Sequence, residues 1–266
     1  MPSVKSNAFK GWMLPFAVAA AMVGEPAWAD AFVQQKGQAR VIVTTVLTDS
    51  AKGFDDNGDV ASINKYKLRQ VYVNAEYGVT DNLTVIAAPS FRHVHIDNAD
   101  QTTGFGYSEL GARLQLARGS HWAVSTQALV RIAGHGNTGN VAQLGNTGTD
   151  FDARLAAAYF DSRVFVSAEA GYRVRSGDLP NETHIDGSAG VHLSPKFMVL
   201  ASSANTISDG AGRGVFNRPY RYGDGFLSLV YSVNKNISFQ AGYTATLYGR
   251  NALRQRGLTF GVWYNF

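Results

Sequence analysis

The final nine residues constrain the fold of this chain more than any other stretch. Leu258, Phe260, Val262, Tyr264 and Phe266 are apolar or aromatic, while Thr259, Gly261 and Asn265 between them are small or polar, and only Trp263 is out of phase. A period of two gives a strand one greasy face and one polar face. The sequence given stops on the aromatic itself. A soluble protein rarely ends on an exposed apolar strand, because its free edge invites aggregation. A strand that closes a barrel in lipid has no free edge, and hydrocarbon tolerates a sheet in no other form.

The same alternation runs back through the chain. Val71, Val73, Ala75, Tyr77 and Val79 stand opposite Gln70, Tyr72, Asn74 and Glu76. Leu110, Leu114 and Leu116 alternate with Glu109, Arg113 and Gln115, and Ile237, Phe239, Tyr243 and Leu247 repeat the pattern near the end. Tight turns by their chemistry fall at Thr80-Asp81-Asn82, Arg118-Gly119-Ser120, Asp161-Ser162-Arg163, Ser194-Pro195-Lys196 and Asn234-Lys235-Asn236. Longer polar connections separate these hairpins, at about 50–62, 95–106, 134–149, 175–183 and 205–221, with a shorter one at 249–253. Counting a first strand near Arg40–Leu47 gives about twelve strands, with ambiguous phase in strands 1, 3 and 9 and an irregularity expected at Pro89. The even count and the strict alternation of short and long connections predict a closed antiparallel transmembrane β-barrel with its short turns in the periplasm. A β-sandwich also alternates, but its connections need not sort into one short and one long side.

The beginning of the chain points to export. Lys5 and Lys10 precede the apolar run Met13–Val23, and Gly24-Glu25-Pro26 then leads to Ala27-Trp28-Ala29. The run is too short to cross about 30 Å of hydrocarbon as a helix. It reads as a cleavable signal over residues 1–29, leaving residues 30–266 as the barrel. There is no cysteine, which excludes disulfides and thiolate metal sites, and the net charge of +4 is too mild and scattered to argue for nucleic acid. The expected location is the outer membrane, with its lipid and lipopolysaccharide around the barrel. The five aromatic and apolar residues Leu258, Phe260, Val262, Tyr264 and Phe266 resemble the terminal assembly signal of bacterial outer-membrane barrels, read by the barrel-assembly machinery.

Strand phase turns a set of charged side chains inward: Glu76, Glu109, Arg113, Arg131, Asp152, Arg154, Glu169, Arg173, Arg175, His184, Asp186 and His192. Two readings of them stand side by side. One is a salt-bridged plug that stabilises a narrow barrel; the other is a charged constriction that selects solutes. Arg113, Arg131, Arg154 and Arg173 fall on four consecutive strands, so the second reading predicts a mainly positive wall and a preference for anions wherever carboxylates leave it uncompensated. On the outward faces, Tyr77, Trp122, Tyr159, Tyr231, Phe239, Tyr264 and Phe266 fit an interfacial girdle at the short-turn end, and Tyr66, Tyr107, Tyr172, Tyr222 and Tyr248 fit the opposite one. Lys65, Lys67 and Arg69 have outward phase just above the apolar part of strand 2, within reach of outer-leaflet phosphates.

Catalytic and metal signals are weak. Ser90 lies near His93 and His95, but no G-x-S-x-G motif supports a Ser/His pair. Asp55-Asp56-Asn57-Gly58-Asp59 departs from the EF-hand pattern, which places glycine at the position held by Val60. The repeated Gly136-Asn137-Thr138-Gly139 and Gly145-Asn146-Thr147-Gly148 favours turns. No cofactor is expected.

Three phrases resemble a family of outer-membrane proteins named for the phenol meta-degradation pathway and described as transporter-like. They are Ala75-Glu76-Tyr77-Gly78-Val79-Thr80-Asp81-Asn82-Leu83, Glu109-Leu110-Gly111-Ala112-Arg113, and the ending from Gly249-Arg250-Asn251 through Gly261-Val262-Trp263-Tyr264-Asn265-Phe266. The likeness covers most of residues 30–266. It implies a barrel and passage of small solutes, aromatic or anionic, and transfers no catalytic residue. A structural or surface-interaction barrel is the alternative, and a lipid-modifying enzyme the third reading.

Overall fold

A computed structural model describes residues 31–134, 148–213 and 217–266. The signal at 1–29 and nearly all of the Gly-Asn-Thr-Gly repeats lie outside the described residues. Fifteen hydrogen-bonded segments form one antiparallel sheet: β1 (Ala39–Phe54), β2 (Val60–Thr80), β3 (Leu83–Ala88), β4 (Ser90–Ile96), β5 (Asp100–Phe105), β6 (Ser108–Arg118), β7 (Trp122–Ile132), β8 (Asp150–Phe160), β9 (Val164–Val174), β10 (Glu182–Ser194), β11 (Phe197–Ser208), β12 (Arg221–Ser232), β13 (Ile237–Arg250), β14 (Ala252–Leu253) and β15 (Arg256–Asn265). Three pairs are single strands with a break: β3 and β4 part at Pro89, β5 and β6 at Gly106-Tyr107, and β14 and β15 at Arg254-Gln255. Twelve barrel strands result. Proline has no N–H for the ladder, so the break at Pro89 follows from its chemistry, although its carbonyl still accepts from Val73 N at 3.0 Å.

The sheet closes through its first strand. β1 pairs with β2 on one side and with β15 on the other, from Arg40 opposite Asn265 to Asp49 opposite Arg256. The last residue seals the seam: Ala39 N donates to Phe266 O at 2.7 Å and Phe266 N to Ala39 O at 2.9 Å. The rings of Tyr264 and Phe266 lie 5.2 Å apart on the outside.

Burial is inside out relative to a soluble domain. Leu258, Phe260, Val262, Tyr264 and Phe266 are exposed on the outer wall, as are Leu193, Leu227 and Leu247, while Thr44, Thr84, Ser125 and Asp152 are buried within. Hydrocarbon outside the wall covers the apolar faces, so the alternation reports lipid against lumen. Trp263 breaks the pattern because it points inward, where its indole N–H donates to Gln240 Oε1 at 3.0 Å.

Two expectations need correction. The connections near 50–62 and 95–106 are largely strand: β1 and β2 leave only residues 55–59 between them, and β4 and β5 form a hairpin turning at 97–99. Beyond the lipid the outward face turns polar, while Tyr66, Leu68, Val94 and Ile96 pack inward, so the hydrogen-bond ladder continues without an apolar outward face to announce it. Of the tyrosines assigned to the outer girdle, Tyr172 and Tyr248 are exposed, but Tyr66, Tyr107 and Tyr222 are buried inside. The ambiguous phases also have a cause. Val41, Ile42 and Val43 in β1, Val85 and Ile86 in β3, and Met198, Val199 and Leu200 in β11 put apolar residues on both faces, and Met198 and Leu200 pack inward with Val230, Phe165 and Trp263.

Candidate functional site

The barrel interior is the candidate site, and its centre is a chain of ion pairs. On β8, Arg154 holds Asp152 through Nε and Nη2, both at 2.9 Å, and reaches Glu169 on β9 at 2.7 Å and Asp186 on β10 at 3.7 Å. Arg173 bridges Asp152 at 2.7 Å and Glu182 at 3.0 Å. Arg175 joins Glu182 at 2.8 Å to Asp150 at 3.1 Å, and its Nη2 donates to the Tyr107 hydroxyl at 3.1 Å. His184 Nε2 lies 3.3 Å from Glu182. Sheet register builds this arrangement, because Asp152 stands directly opposite Arg173 and Arg173 directly opposite Glu182. Opposite charges in such positions attract across the ladder. Gly171, opposite Arg154, leaves the room the guanidinium stem needs: a Cβ there would sit 2.7 Å from Arg154 Cγ.

A second group lies toward β2. Glu76 accepts from Arg113 Nη1 at 3.1 Å, Arg40 Nη2 at 2.8 Å and Gln34 Nε2 at 2.8 Å. Arg113 also donates to Gln127 Oε1 at 3.1 Å and to Phe32 O at 2.7 Å. Arg131 pairs with Glu109, its partner in register, and its guanidinium lies over the Tyr107 ring at 4.4 Å.

Through Gln34 and Phe32 the segment before β1 is drawn into this end of the lumen. Gln34 N donates to Thr84 Oγ1 at 2.7 Å, and Ala31 is buried against Ala123, Ala156 and Ala158, with Phe32 edge-on to Phe160. The remaining wall, on β11–β13, β15 and β1, is largely neutral. Thr48 donates to Gln255 Oε1 at 2.8 Å and Gln240 to Ser228 Oγ at 2.9 Å, with Thr44, Thr244, Thr246 and Thr259 buried beside them.

The structure thus places Glu76, Arg113, Arg131, Asp152, Arg154, Glu169, Arg173, Arg175, His184 and Asp186 on the inner face, with Glu109 partly open to the lumen. His192 shares their phase but is exposed at the short-turn end, away from the network. Sequence reasoning missed Arg40, Gln127, Asp150, Glu182 and Tyr220, whose hydroxyl donates to Glu182 Oε1, and placed Tyr107 on the outside. Asp150 and Glu182 begin their strands just beyond a polar connection. Their signal was spacing by two from Asp152 and from His184.

These additions overturn the positive wall. Arg113, Arg131, Arg154 and Arg173 each pair with a carboxylate, and with Asp150 and Glu182 the acids in these ion pairs outnumber the arginines by one, seven to six. The double variant Arg113→Gln/Arg131→Gln should therefore lower the unfolding midpoint, because it strands Glu76 and Glu109. The parent should show little anion preference, since these positive charges are already offset, and the variant should shift toward cations as the freed carboxylates go uncompensated. Melting curves and reversal potentials on both proteins measure this; a clearly anion-selective parent would restore the positive-wall reading.

The other sequence candidates are pulled apart. Ser90 is buried and its hydroxyl donates to Tyr107 O at 2.7 Å, whereas His93 and His95 project from the opposite face of β4. No Ser/His pair can form there. Asp55 turns its carboxylate onto Asn57 N and Asp59 N, at 2.8 and 2.9 Å, around Gly58 with φ of 89°. Asp56 pairs with Arg250 at 3.2 Å.

A closed twelve-strand antiparallel barrel, apolar outside and polar within, defines a β-barrel protein of the cell outer membrane. The family model described as "Putative MetA-pathway of phenol degradation" matches residues 29–266, and the chain belongs to that family. Among solved structures, it is similar to an outer membrane channel from Pseudomonas putida F1, with TM-score 0.79 and 14% identity over 91% of this chain and 100% of that one. It is similar in fold to the NanC porin (TM-score 0.54, 10% identity, 83% and 98% covered). The KdgM porin in complex with disordered oligogalacturonate follows (TM-score 0.51, 9% identity, 85% and 99% covered). No curated protein sequence matches.

Proposed function

We propose that the protein is an outer-membrane channel for small solutes. The observation that carries this reading is the interior itself: between apolar clusters such as Tyr66, Leu68 and Val94 or Met198, Leu200 and Val230, the inner wall buries many ions, hydroxyls and amides, where a barrel serving only as a scaffold could fill itself with apolar side chains. The path runs between the ion-paired wall of β6–β10 and the neutral hydroxyl and amide wall of β11–β13, β15 and β1. Both features suit a small solute that exchanges hydrogen bonds with water for hydrogen bonds with the wall. The family description favours aromatic compounds as the solute class. Assembly by the barrel machinery and contact with lipopolysaccharide belong to the same proposal.

One observation favours the structural alternative. Arg113 ties Phe32 and, through Glu76, Gln34 into the lumen, so the ion pairs also work as a plug. Planar bilayers separate the two. Purified protein should give discrete conductance steps, and small aromatic alcohols should enter liposomes that contain it faster than empty ones. Silence in both assays would favour the scaffold.

A further inference from the structure

The outer wall carries a second chemically distinct feature, on the sector of β2, β4 and β5. Three registered rows cross β2, β4 and β5 there. The innermost is apolar and exposed: Val71 opposite Phe91, and Phe91 opposite Phe105. The next row outward is Arg69, His93 and Thr103, and the one beyond it Lys67, His95 and Gln101. Rows two residues apart along a strand are separated by about 7 Å, so the wall changes from hydrocarbon-facing to cationic within one step. Lys65 extends the stripe upward on β2, and Arg256 on β15 joins it through Asp49 on β1, its partner in register. On β7 to β10 and on β13 the outward residues near the long-connection end include Ile132, Phe151, Val174, Ile185 and Leu247, all exposed, while Arg221 on β12 faces Arg250, which pairs with Asp56.

The cations are held rather than loose. Arg69 Nη1 donates to the carbonyls of Leu68 and Thr48 at 3.0 and 3.2 Å and lies 3.4 Å from Asp49. Lys67 Nζ and His95 Nε2 both contact Asp97 Oδ1, at 3.2 and 3.0 Å. His93 Nδ1 meets the Thr103 hydroxyl at 2.6 Å. Asp49 and Asp97 are the carboxylates facing this patch, and Lys65, Lys67, Arg69 and Arg256 outnumber them. The hydrogen bonds of Arg69 run through Nη1 and its side chain is 43% exposed, while Lys67 has further ammonium hydrogens beyond the one aimed at Asp97.

We infer that this sector, centred on Lys65, Lys67 and Arg69, is a binding site for the phosphate groups of outer-leaflet lipopolysaccharide. An anionic lipid whose acyl chains lie against Val71, Phe91 and Phe105 brings its phosphorylated sugar head level with the cationic rows. Arginine and lysine at that depth meet phosphate as charge-assisted donors. The head group then fixes the rotation of the barrel against its lipid neighbours, with His93 and His95 as flanking polar contacts.

The test compares the folded protein in detergent with the triple variant Lys65→Gln/Lys67→Gln/Arg69→Gln. Each is titrated with diphosphorylated lipid A and with chemically dephosphorylated lipid A, and native mass spectrometry reads the bound lipid. A basic residue near an anionic surface changes affinity by about fivefold, so the triple variant should bind the phosphorylated lipid about a hundredfold more weakly. Dephosphorylated lipid A should bind both proteins alike. The single variant Arg69→Gln gives the same comparison if the triple variant fails to fold, with a proportionately smaller loss. The control Arg163→Gln/Lys196→Gln/Lys235→Gln, in the short turns at the other end, should bind as the parent does. Equal affinity of parent and triple variant for diphosphorylated lipid A would overturn the proposal. So would a control variant as weak as the triple one, or a parent that ignores the phosphates.

Discussion

Replacing Arg154 with methionine is expected to destabilise the folded barrel by about 3–5 kcal/mol, the cost of removing one partner from a buried charge cluster. Arg154 is the hub of the interior: it is the ion-pair partner of Asp152, Glu169 and Asp186 on three strands, and its side chain is 9% exposed. Methionine fills similar volume, so packing is conserved and the loss falls on three acids left without their shared cation. Lysine should recover only part of it, because a point charge cannot hold Asp152 through two nitrogens while reaching Glu169. Urea unfolding in detergent, followed by heat-dependent migration on a gel, reads the difference. A midpoint equal to the parent's would mean that water screens these charges, and that the network contributes little to stability.

The second large effect concerns assembly. Deleting Phe266, or changing it to serine, should sharply reduce the amount of folded barrel in the outer membrane while leaving synthesis and export intact. Phe266 both donates to and accepts from Ala39 across the closing seam, and its ring stacks near Tyr264 on the lipid side. Without it the seam loses its last hydrogen-bonded pair, and the proposed assembly signal loses its terminal aromatic. Quantifying heat-modifiable protein in outer-membrane fractions checks this outcome. Equal folded yield from parent and both variants would make the aromatic incidental to insertion.

Period-two alternation was enough to read the barrel, because lipid imposes one rule on every spanning strand: apolar residues out and a closed ladder. That rule placed Leu258 through Phe266 on the last strand and assigned the inward phase of Glu109, Arg113, Asp152 and Arg173. It failed where lipid does not reach. The outer ends of β1, β2, β4 and β5 are strand without an apolar outward face, with Leu68, Val94 and Ile96 packed inward, and Tyr66, Tyr107 and Tyr222 turn inward because lumen walls also accept aromatics. It was ambiguous where both faces are apolar, as at Met198–Leu200.

The sequence by itself therefore determined the architecture, about twelve strands and the inward phase of charges such as Glu109, Arg113, Asp152 and Arg173, all of them local consequences of alternation in a hydrocarbon solvent. Tertiary structure alone decided what those charges do. Whether Arg154 and Arg173 make a positive constriction or a neutral network depends on Glu169 and Glu182, which reach them from neighbouring strands, and register sets those distances. The same holds outside the barrel. The basic residues of β2 become a patch only when closure sets β4, β5 and the β1–β15 seam beside them, because a charge acts through distance in space and not through position in the chain.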